Sequence, residues 1–187
     1  MKLGLFGGTF DPPHLGHFLA AGDAAEALGL DHLAWIPAAT QPLKDGSDSA
    51  SAEHRLAMTR LAVAGDPRFS VDTLEIERGG LSFTVDTLRA FRERHPGAAL
   101  FLLLGADAAA LLPKWREPEQ VRALAEIVVL TRGGEGLEPP AGVLTLSTRR
   151  VDISATEIRA RVRQGRSIRG FVPDAVADYI AAHGLYR

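Results

Sequence analysis

The 187-residue sequence predicts a doubly wound α/β fold, a mostly parallel sheet with helices on both faces and a small helical subdomain towards the C-terminal end. Three observations carry this. Short apolar runs alternate with longer segments of helical period, the pattern of successive βαβ units. The run Leu100–Leu104 (LFLLL) is apolar at every position; strands buried on both faces read that way, whereas half-exposed strands alternate. The composition, 46% apolar and 24% charged without cysteine, is that of an ordinary globular protein. A chain of this size buries roughly 70% of its unfolded surface, enough for a core without disulfide or structural metal.

In chain order, Leu3, Leu5 and Phe6 suit a buried first strand over Lys2–Phe6, and a helix follows over Leu15–Leu28. The next strand is His32–Ile36 and the next helix Ala50–Ala64. Phe69–Asp72 and Leu74–Glu77 are both read as strand, and Thr84–Arg94 as helix. Ala99–Leu104 is the central strand. After it come strand Ile127–Leu130, preceded by helix Pro118–Ala125, then strand Val143–Leu146 and helices Ala155–Gln164 and Pro173–His183. Pro37–Ser51 and Gly133–Gly142, rich in Pro, Gly, Ser or acidic residues, read as loops. The first follows a strand and reads either as an active-site flap or as plain surface loop. No repeat, low-complexity tract or long linker divides the chain, so residues 1–187 are expected to form a single domain with about residues 150–187 as the helical subdomain. Ligands of such sheets bind beyond the carboxyl ends of the strands.

The formal charge of −2 argues against nucleic acid as a partner, since dedicated binders carry a basic bias. No targeting segment and no run of ~20 apolar residues is present, so no membrane association is expected and the location is read as cytoplasmic. The missing cysteine excludes zinc fingers, iron–sulfur clusters and thiol catalysis. Charge is nevertheless uneven: Arg149 to Arg169 holds seven arginines against Asp152 and Glu157. Such a run is either a solvated helix surface or an anion site.

The chemistry concentrates first in GLFGGTFDPPHLGH, Gly4 to His17. Gly7 and Gly8 allow a backbone to approach a ligand without a Cβ in the way. Asp11-Pro12-Pro13 forces a corner, and the helix that follows aims its amides and positive dipole end at the crevice, favouring phosphate. His14 and His17, three apart, share one face of the first turn and can donate to phosphate oxygens. No Walker A loop and no dinucleotide fingerprint is present. A metal site on the two histidines lacks a third ligand, and simple helix capping is the bland alternative.

Gly7 to His17 (GGTFDPPHLGH) resembles the (T/H)xGH signature of the nucleotidylyltransferase superfamily, in the form found in bacterial nicotinate-nucleotide adenylyltransferases. A second segment, Asp152–Arg159 (DISATEIR), resembles that family's ISSTEIR motif, with Ala155 in place of the second serine. Read physically, Ser154 and Glu157 form a capping box and Ile153 and Ile158 a hydrophobic staple. Capping leaves Arg159 and the run Gly165–Arg169 unexplained, and arginines flanking a helix start suit a triphosphate. Ser82–Leu88 (SFTVDTL) resembles another family motif; Thr84 is also a plausible N-cap. Gly105 and Asp107 follow the central strand, where Asp107 reads as a ribose or base contact or as an N-cap. Trp115 matches the family tryptophan beside the pyridine ring, and Lys44 a lysine of the flexible loop; an unremarkable core or surface role is the alternative for each.

The resemblance runs from Gly4 to Ile180. It implies a Rossmann-like fold and transfer of the adenylyl group of ATP to nicotinate mononucleotide, giving deamido-NAD and pyrophosphate. By resemblance, His14 and His17 are catalytic. Gly7, Gly8, Thr9, Phe10, Ser154, Thr156 and Arg159 bind ATP with them, and Mg²⁺ arrives with the ATP. Lys44, Thr84, Asp86, Gly105, Asp107 and Trp115 bind nicotinate mononucleotide. The alternatives are a sister enzyme acting on nicotinamide mononucleotide or phosphopantetheine, and a non-catalytic ATP sensor. Whether the protein is a monomer or a homo-oligomer is left open by the sequence.

Overall fold

A computed structural model of the protein describes residues 1–40, 49–132 and 142–187. Its described strands are β1 (Lys2–Gly8), β2 (His32–Pro37), β3 (Phe69–Val71), β4 (Ala99–Gly105), β5 (Glu126–Arg132) and β6 (Leu144–Thr148). They form one sheet in the order β3-β2-β1-β4-β5-β6, and every pairing is parallel. The strand order reverses between β1 and β4. At such a switch point the connections leave in opposite directions and a crevice opens at the carboxyl ends.

Period-two alternation assigns the two faces. Leu100, Leu102 and Leu104 pack with Leu3, Leu5, Ile127 and Val129 beneath α4 (Thr84–Arg94) and α6 (Pro118–Leu124). Phe101 and Leu103 pack the other way, with Phe6, Leu33, Trp35 and Val128 against Ala21, Ala24 and Ala25 of α1 (Leu15–Leu28). The small alanine faces let α1 lie close to the sheet. The all-apolar β4 is thus covered on both sides, as its sequence requires.

A third cluster joins Met58 and Ala62 of α2 (Ala52–Val63) to Ile158 of α7 (Ala155–Arg163), to Ile168 and Val172, and to Val176, Ala177 and Ile180 of α8 (Asp174–His183). Ser154 caps α7 by accepting from the Glu157 amide at 3.1 Å, and Ile153 packs on the cluster that holds Ile158, as a staple would. Most of the arginine-rich run serves this architecture. Arg149 pairs with Asp23 of α1, Arg150 with Asp152, and Arg169 with Asp174 and Asp178. Arg161 donates to the Ser167 carbonyl and lies over the Phe171 ring.

One predicted strand is corrected. Leu74–Glu77 belongs to a short helix, α3 (Leu74–Arg78). The Asp72 carboxylate accepts the Leu74 amide at 2.9 Å, Glu75 and Glu77 fall in the first turn, and Gly79 ends the helix at φ 66°. One turn is too short to display a 3.6-residue period, so its alternation mimics a strand. The equally short α5 (Ala106–Ala110) and the 3₁₀ turn Leu112–Lys114 escaped prediction for the same reason.

Glu75 is buried, and the Thr87 hydroxyl donates to it at 2.7 Å. Burial pushes its carboxyl above the ordinary range, with hydrogen bonds from Thr87 and Ser82 opposing the shift. The folded state therefore holds this proton more tightly than the unfolded chain. Glu75 costs no stability below about pH 4.5, the ordinary value, and costs progressively more as pH rises through its folded pKa. Glu75→Gln should therefore gain stability relative to the parent as pH rises above about 4.5. Denaturant midpoints of both proteins from pH 4 to 8 would show a widening difference; a difference independent of pH would contradict the account.

Candidate active site

β1 delivers Gly7 and Gly8 to the switch point, and the chain then turns sharply. Phe10 takes a left-handed conformation, φ 51°, and the Asp11–Pro12 bond is cis. A positive φ is strained for a bulky residue, and the core holds it there. The Phe10 ring is 2% exposed, 5.1 Å from Trp35, 5.6 Å from Phe6 and 5.3 Å from the His17 imidazole. This revises the expected role of Phe10 in lining the pocket: its ring is core, and only its backbone remains for a ligand.

The glycines also gain specific reasons. A Cβ on Gly7 would meet nothing within 4 Å, consistent with an open approach, but one on Gly8 would lie 2.8 Å from the Phe10 ring. A Cβ on Gly16 would come within 3.0 Å of His14 Nδ1. Gly16, the glycine of the HxGH segment, makes the room in which His14 sits.

His14 is the N-cap of α1 and is buried. Its imidazole stacks on that of His17, centroids 3.6 Å apart and planes inclined by 25°. The His14 backbone amide donates to His17 Nδ1 at 3.3 Å. That bond requires an unprotonated Nδ1 and so places the proton of neutral His17 on Nε2, a donor on the opposite side of the ring. The expected row of open amides at the start of α1 is smaller than the sequence implies. The Leu15 amide is taken by the Phe171 carbonyl at 2.9 Å, and that of His14 by His17. Side chains and the second helix start must supply more of any phosphate binding.

That second start is α7. Ile153 O lies near Gly16, so the N-termini of α1 and α7 meet. Ser154 and Thr156 are exposed there, and Arg159 reaches across to donate to the Asp11 carbonyl at 2.8 Å, with Nη2 3.4 Å from the Thr156 hydroxyl. Arg159 Nε and the Thr9 hydroxyl are buried without a hydrogen-bond partner among the described residues. Asp11 and Arg55 were missed by sequence reasoning. The Asp11 carboxylate accepts from the Ser49 hydroxyl at 2.8 Å and the Ala50 amide at 3.1 Å. Arg55, 4% exposed, donates to the carbonyls of Thr9, Ala38, Ala39 and Ala50, and burial lowers its pKa. Neither carries a motif signal, because their partners are backbone atoms or distant in sequence.

The remaining candidates form a second group. Thr84 is the first residue of α4, after the N-cap Phe83, so it is not the cap. Asp86, in the same turn, pairs with Arg116 at 3.3 Å and Arg89 at 3.5 Å, and Arg116 also lies over the Phe83 ring. Asp86 therefore braces the segment that carries the half-buried Trp115. Gly105 ends β4 and caps α5, which puts the exposed Asp107 inside that helix and not at its cap. The Ala39 amide donates to the Ser82 hydroxyl at 3.0 Å, which ties the loop after β2 to this group. Lys44 lies outside the described residues.

A parallel sheet with a 3-2-1-4-5-6 order and two helix starts over its switch point defines a nucleotide-binding α/β protein. Residues 5–161 match the cytidylyltransferase-like family model. The chain is 57% identical to a "Probable nicotinate-nucleotide adenylyltransferase" of Gemmatimonas aurantiaca, covering 100% of this chain and 93% of that one. It is 50% identical over the whole of both chains to the protein of the same name from Thermus thermophilus. The chain thus belongs to the cytidylyltransferase-like family and, within it, to the nicotinate-nucleotide adenylyltransferases. A Plasmodium falciparum nicotinic acid mononucleotide adenylyltransferase complexed with NaAD shares the fold, with TM-score 0.82 at 18% identity, covering 99% of this chain and 97% of that one.

Replacing a helical glycine by alanine ordinarily adds up to about 1 kcal/mol. Gly16→Ala should not, because the new methyl presses on the buried His14 ring. We expect no rise in thermal midpoint and displaced imidazole NMR resonances for His14 and His17. A midpoint raised by several degrees with unmoved resonances would refute this reading.

Proposed function

We propose that the protein transfers the adenylyl group of ATP to nicotinate mononucleotide, forming nicotinate adenine dinucleotide (deamido-NAD) and pyrophosphate, as a cytoplasmic step of NAD biosynthesis. The observation that carries the proposal is the stacked histidine pair at the switch point, with Arg159 of α7 bonded to the Asp11 carbonyl of the same corner. The identity to the bacterial relatives over the whole chain supports the choice of substrate.

The 5′-phosphate oxygen of the mononucleotide attacks the α-phosphorus of ATP in line. A new P–O bond forms as the bond from the α-phosphorus to the α,β-bridging oxygen breaks, and pyrophosphate leaves with that oxygen. Such a reaction asks for positioning and charge neutralisation and needs no covalent intermediate. His17 donates from Nε2 to an ATP phosphate oxygen, and the buried His14 backs its ring. The backbone of Gly7, Gly8 and Thr9 receives the nucleotide. Arg159, with the hydroxyls of Ser154 and Thr156, holds the triphosphate. Thr84, Gly105, Asp107 and Trp115 face the mononucleotide, with Trp115 offering an aromatic surface to the pyridine ring. Mg²⁺ would arrive with the ATP, carried on its phosphate oxygens. When bound, that ion neutralises charge on the departing pyrophosphate.

The test is pyrophosphate release from Mg²⁺-ATP with nicotinate mononucleotide, nicotinamide mononucleotide and phosphopantetheine in parallel. Release should be fastest with the first. Release with none of them would defeat the enzyme reading, and a preference for phosphopantetheine would defeat the substrate. His17→Ala should lower turnover by about 100-fold or more, the size seen when a charge-stabilising donor is removed.

A further inference from the structure

Beyond α8 the chain folds back onto the catalytic corner. Tyr186, itself at φ 63°, donates its hydroxyl to Asp11 Oδ1 at 2.6 Å. The same carboxylate takes Ser49 and Ala50 on α2's side, and its Oδ2 lies 3.7 Å from Arg159 Nη1. Arg159 Nη1 in turn donates to the Asp11 carbonyl. Tyr186 thus reaches Arg159 by way of the Asp11 carboxylate. A left-handed tyrosine is costly, and a hydroxyl on a buried carboxylate is a reason to keep it. The phenol is held protonated by burial and by the Asp11 charge, so it stays a donor across the physiological range.

We propose that Tyr186 is a positioning residue for ATP. It fixes Asp11, Asp11 fixes the Arg159 guanidinium, and Arg159 then meets the triphosphate without having to be ordered at the moment of binding. Preorganising a cation in this way raises affinity by removing the cost of immobilising it. The mononucleotide, held by the separate group around α4 and Trp115, gains nothing from Tyr186. This inference rests on the assignment of Arg159 to the triphosphate.

The experiment combines equilibrium binding of a non-hydrolysable ATP analogue with steady-state kinetics on the full chain, for the parent, Tyr186→Phe, Arg159→Ala and the double variant. Phenylalanine keeps the ring and removes only the donor. The lost hydrogen bond is to Asp11 and not to ATP, so only part of its worth reaches the ligand, and analogue binding and ATP KM should weaken by about 5- to 10-fold. The mononucleotide KM should stay within twofold of the parent. Tyr186→Phe should have no further effect once Arg159 is alanine, since it acts through that residue. Unchanged analogue binding by Tyr186→Phe overturns the inference. So does an equal rise in both KM values, the mark of general loosening, or an undiminished effect in the Arg159→Ala background. A parent that fails to bind the analogue overturns the ATP reading itself and this inference with it. A parent that binds it but releases no pyrophosphate defeats only the catalytic reading, and the binding arm still decides the role of Tyr186.

Discussion

The corner at the end of β1 depends on one buried cation. Arg55 spends its guanidinium on four backbone carbonyls from three segments: Thr9 after β1, Ala38 and Ala39 after β2, and Ala50 before its own helix. The first three sit where strands have ended and no ladder partner is left for them, and buried carbonyls without a donor are expensive. A lysine, with a single ammonium, could not span the same fork. Through Thr9 and Ala38, Arg55 ties the chain leaving β1 to the chain leaving β2 in one rim. The strained Phe10 and the histidine stack are built on that rim.

Around the rim the protein uses its core to aim side chains. The Phe10 ring is locked among Phe6 and Trp35 and lies edge-on to His17; the space at Gly8 and Gly16 is set by the rings it must admit. The site is therefore specified from beneath as much as from the ligand side. Opposite it, the Asp86–Arg116 pair and the Ser82–Ala39 hydrogen bond join α4, the Trp115 segment and the β2 loop, so the two proposed substrate sites are braced separately against a common sheet.

How much of this could be read beforehand follows from the range of each interaction. The sheet was legible because β4 is apolar at every position and because turns and helical periods between strands are local signals. The start of α7 was legible because a cap and a staple lie within six residues. Leu74–Arg78 was not, since a single turn shows no period, and its acidic first turn was overlooked. The histidine pair was plain; its backing was hidden. Asp11 resembled part of a Pro-Pro corner, and nothing near Arg55 hints that its partners are carbonyls up to 46 residues away. The arginine run, open in the sequence between a solvated surface and an anion site, divides in the structure: Arg149, Arg150 and Arg169 pair with carboxylates and Arg161 with a carbonyl and a ring, whereas Arg159 bonds to the Asp11 carbonyl.

The hydrogen bond from Arg159 to Asp11 joins residues 148 positions apart. A chain emerging from the ribosome has its histidine pair long before it has this arginine, and closing so large a loop is slow compared with forming a local turn. The corner is therefore complete only where α7 and α8 are docked on α2. Undocking α7 from that cluster would take Arg159 away from the Asp11 carbonyl, which makes competence for binding a report on completeness of the fold.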